Sequence, residues 1–190
     1  MSSDRAQRIG IPDGIVEGLE AASFDATRPV VRWACSFLAQ GDRRRLVVLA
    51  GPTRTGKSSA AATAVLNART ADRTIAIVGG PVTIIPGEPV AARWVHARQL
   101  FHNVFDAKLW EAVAKVPVLV VDDLGAEPED QRVTPLIASV LCERVDGGKK
   151  TIGTTNLALD RFKRRYGERV FGRLAGEAWY GARGRPLRQA

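Results

Sequence analysis

The chain has 190 residues, of which 45% are hydrophobic and 25% charged. That length suits one domain with a single core, and that balance excludes a disordered chain. No stretch approaches the roughly 20 apolar residues of a membrane span, so no membrane partner is expected. The opening Met1-Ser2-Ser3-Asp4-Arg5 has no apolar run behind its charges, which argues against a secretory leader.

The formal net charge of +8 is uneven: residues 161–190 hold nine Arg and Lys against Glu168 and Glu177, a surplus of seven. Such an end fits nucleic acid, nucleotide phosphate or an acidic partner, and equally a plain solvated surface. Cys35 and Cys142 each fall inside an apolar helical pattern and lack disulfide or metal-ligand spacing. They are expected to be buried free thiols of a cytoplasmic protein.

In chain order, residues 1–27 carry turn signals at Gly10, Pro12 and Asp13-Gly14 and are expected to be an irregular arm. Val30, Val31, Ala34, Phe37 and Leu38 recur at helical spacing, and Gly41 ends that helix. Leu46-Val47-Val48-Leu49-Ala50 is too short for a helix and reads as a buried parallel strand. Residues 57–70 read as a helix and 74–78 as a strand, with 82–85 as a hairpin partner inside a Gly/Pro-rich stretch, 79–89. Residues 92–95 suggest a strand, 97–114 one helix and 116–121 a second strong strand. Thr134-Pro135 suits a helix start, with Leu136, Ile137, Val140, Leu141 and Val145 as its apolar face and Gly147-Gly148 as its stop. Residues 151–155 give one more strand. The βαβα alternation predicts an α/β fold, a parallel sheet with helices on both faces.

Gly51-Pro52-Thr53-Arg54-Thr55-Gly56-Lys57-Ser58 matches G-x-x-x-x-G-K-[ST], between a strand and a helix. Backbone N–H groups of such a loop point at phosphates, and the glycines permit the close approach. The expected nucleotide-binding residues are Gly51, Pro52, Thr53, Arg54, Thr55, Gly56, Lys57, Ser58 and Ser59. Lys57 would reach the β- and γ-phosphates of ATP, and Ser58 would bind Mg²⁺. Arg54 either meets phosphate or points to solvent. Asp122-Asp123 ends the strand 116–121, as a Walker B element does. Asp122 would hold Mg²⁺, and Asp123 would orient or deprotonate the attacking water. Asp123 is one methylene shorter than glutamate, so slow intrinsic hydrolysis is expected.

Asn156 follows the strand 151–155, 34 residues after Asp122, and its amide can donate to phosphate and hold a water. Arg169 and Arg173 lie four apart on one helix face and could reach a phosphate on a neighbouring subunit. Trp179-Tyr180, among arginines, either grips single-stranded DNA by stacking or packs the C-terminal segment onto the core.

These elements resemble the AAA+ ATPases of bacterial helicase loaders (DnaC-like) and transposition helpers (IstB-like), over about residues 8–176. The resemblance is carried by Ile11-Pro12, the loop 51–58, Val120-Val121-Asp122-Asp123-Leu124-Gly125, Thr151-Ile152-Gly153-Thr154-Thr155-Asn156-Leu157 and Gly167-Glu168-Arg169-Val170-Phe171-Gly172-Arg173-Leu174. It implies a RecA-like three-layer P-loop NTPase (AAA+) core with little or no helical lid, which suits the end at Ala190. It makes Asn156 sensor 1 and Arg173 the arginine finger, accompanied by Arg169. The expected organisation is an N-terminal arm (1–27), an ATPase core (28–178) and a basic C-terminal tail (179–190).

The implied function is an ATPase that loads a hexameric replicative helicase onto single-stranded DNA, as a nucleotide-dependent homo-oligomer. The alternatives are a transposition helper acting with a transposase on duplex DNA, and a nucleotide-gated switch with little turnover. A small-molecule kinase is disfavoured, because the Asn156 and Arg173 elements call for neither a lid nor a substrate pocket. Three departures stand out. The Gly79–Pro89 stretch reads as an insertion before the strand 92–95. The loop has Arg54 where the family is usually Gly-rich. The N-terminal segment is shorter than the family's partner-gripping domain, as in a compact phage or prophage loader.

Overall fold

The computed structural model describes residues 3–21, 25–39, 41–71, 73–76, 82–174 and 178–181, with the backbone alone for 73–76 and 82–85. The N-terminal part holds α1 (Ser3–Ile9), α2 (Asp13–Glu20) and α3 (Pro29–Leu38), before β1 (Leu46–Ala50) and α4 (Lys57–Asn67). Then come β2 (Arg73–Ala76), β3 (Val82–Ile85), β4 (Ala92–His96), α5 (Ala97–His102) and α6 (Ala107–Lys115). The chain continues through β5 (Val118–Leu124), α7 (Val133–Asp146), β6 (Lys150–Thr155), α8 (Leu159–Arg173) and β7 (Trp179–Gly181).

Five strands form one parallel sheet in the order β4-β5-β6-β1-β7. The fold is the expected three-layer α/β core of a P-loop NTPase, with no additional lid among the described residues. From β1 the chain crosses to the far edge at β4, returns through β5 and β6, and finally places β7 on the other side of β1. Parallel sheets bind ligands beyond the carboxyl ends of strands where the order switches direction, which here is the end of β1. β1 is fully buried along its length, as its continuous apolar run requires. β2 and β3 stand apart as an antiparallel pair, which confirms the hairpin and keeps it outside the main sheet.

Four expectations are corrected. The arm is not irregular: α1 and α2 are amphipathic turns of helix that bury Ala6, Ile9 and Leu19. Arg5 ties α1 to the C-terminal end of α4, donating to the carbonyls of Val65, Leu66 and Ala68. The 97–114 helix is broken at 103–106, where the Asp106 side chain accepts from Leu109 N and starts α6 afresh. Leu136, placed on the apolar face of α7, is instead an exposed side chain, while Ile137 and Leu141 are buried. Trp179 and Tyr180 belong to β7, inside the segment expected to be tail. Trp179 packs edge-on against Phe162 at 5.3 Å, and Tyr180 lies 5.2 Å from Trp33. Both rings thus contact the core, which is the packing alternative. Cys142 is buried and Cys35 half-buried, both as free thiols. The basic residues 183, 185 and 188 lie outside the described residues. No described helix is long and apolar enough to cross a membrane.

Candidate active site

The loop between β1 and α4 is held in place by its own backbone. Gly51 N donates to Thr155 O on β6 at 3.1 Å. Gly56, at φ 89°, caps α4 in the left-handed region where a side chain is strained. Its carbonyl accepts from Ala60 N. The N–H groups of the first turn of α4 have no intrahelical acceptor, so this end of the helix favours an anion. Arg54 also has a left-handed φ, 64°, and is exposed. It adopts the conformation a glycine would take, which explains why a Gly-rich loop can carry an arginine here, at a cost of about 1–2 kcal/mol.

Lys57 is only 5% exposed. Its ammonium donates to Gly51 O at 2.9 Å, Pro52 O at 2.7 Å and Asn156 Oδ1 at 3.0 Å. Burial pulls its pKa down, against the opposing pull of Asp123 and Asp122. A cation buried beside acceptors at a helix N-terminus suits phosphate oxygens.

Asp122 is 6% exposed, and its Oδ1 accepts from Ser58 Oγ at 2.8 Å and Thr154 Oγ1 at 2.6 Å. Burial raises its pKa, the two hydroxyls lower it, and Asp123 raises it further. Ser58 and Asp122 are hard oxygen donors side by side, which fits Mg²⁺. Ser58 and Asp122 would hold such an ion, which would offset the desolvated charge and supply positive charge toward a bound polyphosphate.

Asp123 sits differently. The β5–β6 register shifts between Val121 and Leu124, and Asp123 has φ 54°. A bulge of this kind breaks the alternation of side chains and re-aims one of them. Asp123 N donates to Thr154 Oγ1 at 2.9 Å, and its carboxylate lies 3.2 Å from His96 Nε2. His96 Nδ1 accepts from Arg98 N, so a neutral ring carries its proton on Nε2 and donates to Asp123.

The fold therefore brings together Lys57, Ser58, Asp122, Asp123 and Asn156 at the carboxyl ends of β1, β5 and β6. Arg169 and Arg173 are not among them. Arg173 makes a forked pair with Asp146 at 2.7 and 2.8 Å and donates to Arg169 O. Arg169 is exposed and has no ion pair among the described residues. A cavity of about 1170 Å³ lies between α7 and α8, lined by Arg161, Arg164 and Arg169 over Cys142 and Val170. No residue of the phosphate loop lines it.

Sequence reasoning missed His96 and Thr154. Thr154 lay within a recognised motif, but its burial against Asp122 follows only from the β5–β6 register. His96 is opposite Asp122 on β4, a placement that pairing alone reveals.

The sheet order and the loop at the end of β1 define an α/β core with the P-loop NTPase fold. No protein-family model matches the chain, and no curated protein sequence matches it. Among solved structures it is similar to DnaI, at TM-score 0.62 and 19% identity over 91% of this chain and 95% of that one. It is also similar to a protein described as a primosome component from Streptococcus pyogenes serotype M3, at TM-score 0.63 and 18% identity over 98% and 99%. The DnaC helicase loader matches at TM-score 0.56 and 20% identity, over 85% and 93%. These DnaC-like folds are those the motifs resemble.

Proposed function

We propose that this protein is an ATP- and Mg²⁺-dependent ATPase of DNA replication that loads a hexameric replicative helicase onto single-stranded DNA. The observation that carries the reading is the Ser58–Asp122 contact of 2.8 Å beside the Lys57–Asn156 contact of 3.0 Å. Together they supply oxygen donors for a cation, a cation for phosphate, and a polar side chain next to both. Asp123, oriented by His96, is the group that handles the attacking water. Arg173, accompanied by Arg169, acts in trans on a neighbouring subunit of a nucleotide-dependent homo-oligomer. The replication role is supported by the fold likeness to the DnaC helicase loader.

The test is ATP turnover by the full chain alone, with single-stranded DNA and with duplex, together with co-purification of a hexameric helicase. Stimulation by single strands and helicase capture are expected. Stimulation by duplex alone, with filament formation, would assign a transposition helper instead. DNA affinity should fall steeply with salt, with a slope of about −0.7 per phosphate contact on single strands. Removing residues 182–190 should flatten that slope.

A further inference from the structure

One buried carboxylate joins the end of β5 to the arginine-bearing helix. Glu127 is 2% exposed. It accepts from Gly125 N at 2.9 Å, Arg165 Nε at 3.0 Å and Tyr166 OH at 2.5 Å. Arg165 also donates to the main-chain oxygen of Glu127 and pairs with Glu129 at 3.1 Å. Burial and the nearby Glu127 charge push the Tyr166 phenol far up, so it stays a donor. A buried charge is costly unless paired, and here the Arg165 and Tyr166 contacts run between the β5 exit and α8.

The two partners on α8 stop just short of a break. Gly167 has φ 84° and ψ 166°, a conformation essentially confined to glycine. α8 is therefore two rods. The first is fixed to the segment leaving Asp123, through Arg165 and Tyr166. The second carries Arg169 and Arg173 and is tied to α7 by Arg173–Asp146.

We propose that Glu127 is a positioning residue: it holds α8 in register with the carboxylates at the end of β5, and so sets the aim of Arg169 and Arg173 at a neighbouring subunit. The proposal rests on the reading of Arg173 as an arginine acting in trans. Displacing a catalytic group by about 1 Å can cost about 10²-fold in rate, so a modest tilt of the first rod suffices.

The experiment compares full-length wild type, Glu127→Gln, Arg173→Ala and the double variant. Steady-state ATP hydrolysis is measured with protein dilute and concentrated, and ATP affinity separately. The expected result for Glu127→Gln is near-wild-type ATP affinity and dilute rate, with kcat of the concentrated protein down about 10–100-fold. Added to Arg173→Ala, it should cost nothing more. Tyr166→Phe should show the same pattern more weakly, and it serves should Glu127→Gln fold poorly. Equal losses in the dilute and concentrated states would overturn the proposal, as would losses that simply add to those of Arg173→Ala. A wild-type rate per subunit that stays flat with concentration would remove the trans-arginine reading and the proposal with it.

Discussion

Lys57 Nζ donates to Asn156 Oδ1 across 3.0 Å, so the phosphate loop and the end of β6 meet through their side chains. The two should nevertheless prove separable. Lys57→Ala removes the buried charge of the loop and should abolish ATP binding at concentrations that saturate wild type. Asn156→Ala should leave affinity nearly intact and lower turnover by about 10²-fold, the scale for losing one stabilising dipole. Labelled-ATP binding and steady-state hydrolysis separate the two. Unchanged affinity in Lys57→Ala would overturn the phosphate-loop assignment.

Asp122→Asn keeps the hydrogen bonds to Ser58 and Thr154 within reach but removes the buried charge. ATP should still bind, while Mg²⁺-dependent hydrolysis disappears and chelation has no further effect. Turnover at the wild-type rate would place the metal carboxylate elsewhere.

Arg173→Ala should retain ATP affinity and lose the assembly-stimulated rate, by about 10³–10⁵-fold if the guanidinium acts as a finger. Mixing it with Lys57→Ala should recover some activity, because a mixed interface pairs an intact loop with an intact arginine. Asp146→Asn, which loosens the forked pair holding Arg173, should raise the stimulated rate. A mixture that gains nothing would exclude action in trans.

Arg144 is 1% exposed and has no carboxylate hydrogen-bond partner among the described residues. Its guanidinium donates instead to Thr151 Oγ1 and to the carbonyls of Val113, Ala114, Val116 and Lys150. Burial lowers its pKa to about 10, so it remains charged at neutral pH. Arg144→Met would strand several buried acceptors, and stability in urea should fall by about 3 kcal/mol or more. A loss under about 1 kcal/mol would mean that water replaces the guanidinium.

The central sheet was legible because its strands are short, apolar and β-branched, and because the phosphate loop and Asp122-Asp123 follow them directly. Asn156 was legible for the same reason. The N-terminal helices were hidden: α1 has only seven residues and α2 eight, with Gly14 and Gly18 inside it, and both resemble turns until a core is present to bury Ile9 and Leu19. β7 is three residues in a basic segment, and only pairing with β1 makes it a strand. Glu127 and His96 act through partners far along the chain, which no local spacing reports.

β7 also has a consequence for how the molecule is made. Val48 pairs with Trp179, and Val48 N donates to Ala178 O at 2.8 Å, so β1 gains its second neighbour only when residues near 180 have been synthesised. Until then the strand that leads into the phosphate loop has an open edge, the kind of surface that pairs with other chains. Closing it joins residues more than 100 positions apart, which places it among the slow, late events of folding. The nascent chain is thus most exposed to misassociation beside the phosphate loop itself.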